Sequence, residues 1–344
     1  MAATSTRSVD DSEPDRSAEH SKPARDTVVR GTVVPMLVGL LIGAIFVAVF
    51  LAAFHDPKPH DLPVAVVAPP PVVAAIEAQS AAAGDAFDVR VYPSADTARQ
   101  AVESHDVFGA YVAAGAPTAD LLVAGANGPA VTEVLSRAFG AAAAATGTPL
   151  TVTDVVPLAS GDSRGLSVFY AAFGVVLSAF LFGLTSMQAG PRLPVVWRAV
   201  SAVAFSILVS LVVAWLVQPV FGALPASFLM TATLVGLLAF AVGASTVALL
   251  KLFGPPGIFV AAVVLLVFGN ATSTGILPAQ FLPGWLEPLT NILPVGVTVR
   301  ALRGTAYFDN DGLPTAIAVL EAWIIGAVLV YGIAVFVQSR RRGA

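Results

Sequence analysis

Glu321 stands inside an apolar run that begins at Leu313, about 12 Å along a helix that rises 1.5 Å per residue. A carboxylate at that depth is costly unless it is paired or wet. Three readings are open: a contact to a substrate or gate, an ion pair with Arg300 or Arg303, or the lining of a polar crevice. Arg300 and Arg303 stand three apart in "TVRALRG", on one face of a short helix that Gly304 is expected to end. Together with the interfacial aromatic Trp285, these residues form a candidate gate or substrate path. The stretch "HDPKPHD", His55 to Asp61, carries two histidines and two aspartates. Its prolines make an extended linker that fixes no ligand geometry, so neither a metal nor another cofactor is assigned to it.

The chemistry missing from the chain narrows the field. There is no GxxxxGK[ST] phosphate cradle and no GxSxG nucleophile elbow, so the chain reads as a non-enzyme that does not hydrolyse ATP by itself. No acidic residue occurs between Asp162 and Glu287, and no histidine lies in an apolar run. A proton- or ion-coupled pump needs such groups in its bundle, which disfavours that class and leaves Glu321 alone to serve it.

The elements that must position these residues are membrane helices. Hydrophobic residues make up 56% of the chain and charged residues 12%, with a mean hydropathy of +0.82, far from the range of soluble domains. No basic stripe offers a nucleic-acid surface. Cysteine is absent, so disulfides and thiolate metal sites are excluded. It also makes Ser80 and Ser339 convenient positions for single-cysteine probes.

Apolar runs long enough to cross a bilayer occur at Val33–Phe54, Leu166–Met187, Val195–Val217, Phe228–Leu250 and Leu313–Val337. Gly257–Gly269 is apolar but short, and reads as a short span or a re-entrant segment. Six spans place Arg192, Lys251 and the terminal arginines on the side of the amino-terminal tail, with Arg198 just inside the third span, in accord with the positive-inside rule. Both termini are then cytoplasmic. The first span follows a polar tail, residues 1–30, whose composition predicts disorder. It reads as a retained anchor rather than a cleaved signal.

Residues 55–165 form a water-facing, extracytoplasmic insert. Its runs "PVAVVA", "FDVRVY", "VFGAYVA", "DLLVAG" and "LTVTDVVPL" alternate with helix-like stretches at Pro71–Ala83, Ala95–Ser104 and Pro129–Ala145, the pattern of a small α/β domain. The expected fold is a polytopic α-helical membrane protein of six transmembrane helices, with this domain inserted between the first two. Residues 31–54 are the first helix, 166–337 the five-helix remainder and 338–344 a cytoplasmic tail. Gly39 and Gly43 form a GxxxG pair in the first span, a device for close helix packing.

Before the last span, Pro278, Pro283, Pro288 and Pro294 break the chain into short pieces. This stretch, "GNATSTGILPAQFLPGWLEPLTNILPVGVTVRALRG" (Gly269–Gly304), resembles permeases of the second class of ABC exporters, in the phage infection protein-like branch. "ADTARQAVESHDVFGAYVAA" (Ala95–Ala114) is similar to that branch's extracytoplasmic helix–strand motif. The resemblance extends to the layout from Val33 onward and implies a re-entrant hairpin over 270–304. It further implies a permease subunit of an ATP-driven exporter in a bacterial cell membrane, paired as a homodimer or with a second permease. A separate ATPase subunit would dock near Arg192, Arg198 and Lys251, and the substrate would be lipid-like, drug-like or an envelope polymer. The family's amphipathic and coupling helices correspond here to "DTVVRGTVVP" and "QAGPRLPVVWR", which are short and proline-broken. The alternative reading is a non-transporting receptor or envelope-assembly scaffold that acts through residues 55–165.

Overall fold

The computed structural model describes residues 29–113 and 118–343; the tail read as disordered lies outside the described residues, apart from its last two. Among the described residues, five helices are long and apolar enough to cross a membrane: Gly31–Phe54, Ser167–Ala189, Val195–Val220, Phe228–Phe253 and Leu313–Arg340. They arise where the sequence has unbroken apolar runs, because in hydrocarbon the helix satisfies every backbone N–H and C=O within the segment. The protein is a helical membrane protein with a small α/β domain.

After the first helix, α1 (Val34–Phe54), the chain forms β1 (Leu62–Val67), α2 (Pro70–Ala82), β2 (Phe87–Val91), α3 (Ala95–Glu103), β3 (Gly109–Val112), β4 (Ala119–Val123), α4 (Pro129–Ala145) and β5 (Leu150–Asp154). The sheet order is β2-β1-β3-β4-β5. β1 lies parallel to β2 and β3, β3 antiparallel to β4, and β4 parallel to β5. β1 is the apolar run "LPVAVV" because it is covered on both faces. One face packs Val73 and Ile76 of α2 and Leu135 and Phe139 of α4; the other packs Ala98, Ala101 and Val102 of α3. Gly109 permits the first of these layers, since a Cβ there would stand 2.7 Å from Leu135 Cδ1. Helix α3 begins with a capping box in which the Ser94 hydroxyl accepts from Thr97 N and Thr97 Oγ1 accepts from Ser94 N.

The membrane part continues with α5 (Ser167–Ala189), α6 (Val195–Val220) and α7 (Phe228–Phe253). The last two helices are α9 (Pro294–Tyr307) and α10 (Leu313–Gly343), the latter running on through the segment assigned to a tail. α7 is central and packs against α5, α6, α9 and α10. Small residues make the close approach: a Cβ on Gly183 of α5 would lie 2.7 Å from Thr246 of α7. Leu208, Trp215, Val328, Leu329 and Phe336 on the flanking helices remain exposed, as lipid-facing positions require.

Between α7 and α9 lies α8, a 16-residue apolar helix at Pro256–Ala271 whose middle, Ala262–Phe268, is wound as a π-helix. It is shorter than the roughly 20 residues that cover the hydrocarbon core. Two 3-10 turns follow, Ala279–Phe281 and Glu287–Asn291. The prolines start these pieces: Pro278 precedes the first, Pro288 lies in the second, and Pro294 is the first residue of α9. Leu282 and Leu286 pack with Val49 and Ala53 of α1 and Val267 of α8.

One expectation fails here. Gly304 does not stop the short helix, which continues to Tyr307. A Cβ at Gly304 would stand 1.9 Å from the Asp311 carbonyl oxygen, so this glycine exists to let the 308–312 turn fold back onto α9.

Candidate functional site

The sheet domain meets α9 around a partly enclosed cavity of about 290 Å³. Its walls come from four places: the turn after α3 (His105), the turn after β4 (Asn127), the segment between α8 and α9 (Thr274, Gln280, Glu287), and α9 itself (Arg300, Arg303). His105 is the left-handed residue that ends α3, with φ +67°, a conformation in which histidine is enriched among non-glycine residues. That turn stacks its ring on Phe308 at a centroid distance of 4.3 Å and sets it edge-on to Phe108.

His105 Nδ1 lies 2.8 Å from Asp311 Oδ2. Arg300 donates to the same carboxylate with both arms of its fork, from Nε at 3.1 Å and Nη2 at 3.0 Å. Burial alone would raise the pKa of Asp311. The hydrogen bonds from His105 and Arg300 outweigh it and hold the carboxyl well below the usual carboxylate range. This carboxylate therefore ties the sheet domain to the α9–α10 turn.

Arg303, also on the cavity wall, has different partners. Its Nη1 donates to Thr274 O at 3.1 Å and its Nη2 to Gly275 O at 3.2 Å. Among the described residues no carboxylate lies within ion-pair distance of it. Burial lowers its pKa, opposed by the fields of Asp162 and Tyr307; guanidinium nonetheless stays charged in proteins. Asp162 itself is occupied, its carboxylate accepting from Leu166 N and Ser167 N at the start of α5. Gly275 makes the carbonyl pair possible, because a Cβ there would meet Phe169 at 2.7 Å. Tyr307 OH accepts from Ala159 N at 3.2 Å, tying the linker after β5 to α9.

The other residues singled out from the sequence lie elsewhere. Glu321 is exposed on α10 and forms no ion pair among the described residues; the pairing with Arg300 or Arg303 does not occur, since Arg300 binds Asp311 and Arg303 binds carbonyls. Trp285 is exposed, its ring edge-on to Phe268 at 6.4 Å. Arg192 is exposed in the turn before α6. Arg198 is 5% exposed and caps α5, donating to the Ser186 carbonyl and hydroxyl and to Gly190 O. Lys251 lies in the last turn of α7, where the helix dipole favours a cation, and its carbonyl accepts from Gln338 Nε2 at 3.0 Å. In "HDPKPHD", His60 Nε2 lies 3.4 Å from Glu287 Oε2 and Lys58 pairs with Asp56. Among the described residues no group of three or more His, Cys, Asp or Glu could hold a metal.

Asn127, His105 and Asp311 were not foreseen. Asn127 is a polar residue in a chain of small apolar turns, and only its burial marks it. Comparison with protein-family models, with curated proteins and with solved structures finds no match.

Proposed function

We propose that this chain is the membrane-spanning permease subunit of an ATP-driven exporter for a lipid-like, drug-like or envelope-polymer substrate, powered by a separate ATPase subunit and paired with a second permease. The observation that carries the reading is the interruption between α8 and α10. There the chain forms short turns and then the helix α9, which is buried from Pro294 to Val299 and at Ala301, Leu302 and Gly304. A simple loop between two spans would have no reason to be buried. In this reading α8 is the sixth membrane element, 270–304 is a re-entrant hairpin closing the outer end of the helix bundle, and residues 55–165 are extracytoplasmic with both termini inside. Arg300, Arg303, Trp285 and Glu321 belong to the substrate path, and Arg192 and Lys251 to the surface that meets the ATPase. Arg198 supports that surface from within by holding the end of α5.

A second reading, a receptor or scaffold working through the α/β domain, draws on one observation. The α5–α6 connection is only residues 190–194, without a helix of its own, which leaves little for an ATPase to grip. Purification of the tagged protein from its native membrane in mild detergent separates the two. A stoichiometric ATPase, lost on Arg192→Glu, is the outcome expected of a permease; a clean preparation with no nucleotide-binding partner favours the receptor.

The orientation has its own test. Ser80 is a poor probe, because it is buried and its hydroxyl both donates to Phe87 O and accepts from Phe87 N. Gln79 is exposed on α2 and Ser339 exposed on α10. In intact cells an impermeant thiol reagent is expected to label Gln79→Cys and spare Ser339→Cys; the reverse pattern overturns the topology.

A further inference from the structure

The cavity beside α9 is lined by polar atoms that the protein does not pair. Asn127 is 3% exposed, lines the cavity, and its amide Nδ2 has no hydrogen-bond partner. His105 Nε2 is likewise buried and without a partner, while its Nδ1 is taken by Asp311. Buried polar groups are ordinarily paired, and here two unpaired ones line one cavity. Arg303 adds a guanidinium on the same wall with no carboxylate bound to it. The acids on the cavity are already engaged: Glu287 faces His60, and Asp106 accepts from Ser104 Oγ at 2.8 Å.

The walls are also held in costly conformations. Thr274, whose carbonyl positions Arg303, is a β-branched residue at φ +56°, where such residues are true outliers. Strain of this kind persists where surrounding structure imposes it, and it clusters at ligand sites.

We propose that this cavity binds a phosphate group, carried by a small soluble molecule or by a lipid headgroup. Arg303 supplies the charge, the amide of Asn127 donates to a phosphate oxygen, and Nε2 of His105 shares a hydrogen bond with another. Three polar groups brought from three separate segments, one of them a guanidinium, suit the several oxygens of a phosphate better than the two of a carboxylate. A volume of about 290 Å³ leaves room for the phosphate and a few further atoms. The site does not depend on the exporter reading; it is a property of the sheet domain and α9 whether or not an ATPase binds.

The test is equilibrium dialysis of the full-length protein in a maltoside detergent, which carries no phosphate, against labelled inorganic phosphate, with and without added phosphatidic acid. Saturable phosphate binding is expected in the wild type. Asn127→Leu conserves shape and removes the unpaired amide, so it should fold with an unchanged or raised unfolding temperature and bind about 10-fold more weakly. Arg303→Gln should also weaken binding, but it removes the partner of the Thr274 and Gly275 carbonyls as well, so the Asn127→Leu result decides. If phosphate binds only weakly, and phosphatidic acid stabilises the wild type but not Asn127→Leu, the source is a lipid and the proposal holds. Absence of both effects, or binding by Asn127→Leu equal to that of the wild type, overturns it.

Discussion

Arg303→Leu is expected to destabilise the protein by about 3 kcal/mol, because the substitution leaves buried polar groups without their partner rather than merely removing a contact. The carbonyls of Thr274 and Gly275 both lose their donor. The turn at Thr274 also loses what holds it at φ +56°. Thermal unfolding in detergent, followed by tryptophan fluorescence, should drop markedly. Hydrogen exchange should rise first at residues 272–276, before it rises in the sheet. A variant with wild-type stability and wild-type protection in that turn would mean that Arg303 does not hold it.

Asp311→Asn is the second large effect, about 2 kcal/mol near neutral pH, and it carries a pH signature. The Asp311 carboxyl is held below its ordinary range by His105 and Arg300 against the opposing effect of burial. An unfolded aspartate titrates near pH 3.9. A group with a depressed folded pKa contributes stability that is fully present above the unfolded value and is lost as pH falls towards the folded one. The wild type should therefore lose stability on acidification below about pH 4 more steeply than Asp311→Asn, and the two curves should converge in acid. Parallel curves would remove the carboxylate from the account. Exchange at 105–112 and at 300–313 should rise together in the variant, since one carboxylate links both segments.

These effects centre on residues whose partners lie far away in the chain, and that distance explains what could be read in advance. The five long helices were legible because a bilayer demands an unbroken apolar run, and such a run is a local property. The sheet domain was legible for a similar reason. Its five strands and three helices alternate in short segments whose hydrophobic period changes between two and 3.6 residues, and the observed elements fall within two residues of those runs at nearly every end. The prolines between α8 and α9 announced short pieces, and the chain follows them.

The expectation that Gly304 ends its helix, and the pairing of Glu321 with Arg300 or Arg303 among the readings open for it, failed because the evidence for both is not local. A glycine after an arginine-rich turn resembles a helix stop, and only the return of the chain at Asp311 reveals that the missing Cβ makes room for a carbonyl. An acid in an apolar run invites a search for a nearby cation. Arg300 instead takes Asp311, eleven residues on, because the turn at 308–312 delivers that carboxylate bidentately.

The sequence by itself determined a membrane protein with a folded α/β insert, because membrane crossing and sheet formation are decided by apolar pattern within single segments. Tertiary structure alone decided the cavity. His105, Asn127, Thr274 and Arg303 come from four separated stretches, and they line one cavity, with Nδ2 of Asn127 and Nε2 of His105 unpaired, only once α9 is packed against the sheet domain. A hydrogen bond left unmade is a property of the assembled fold, and no segment of the chain encodes it alone.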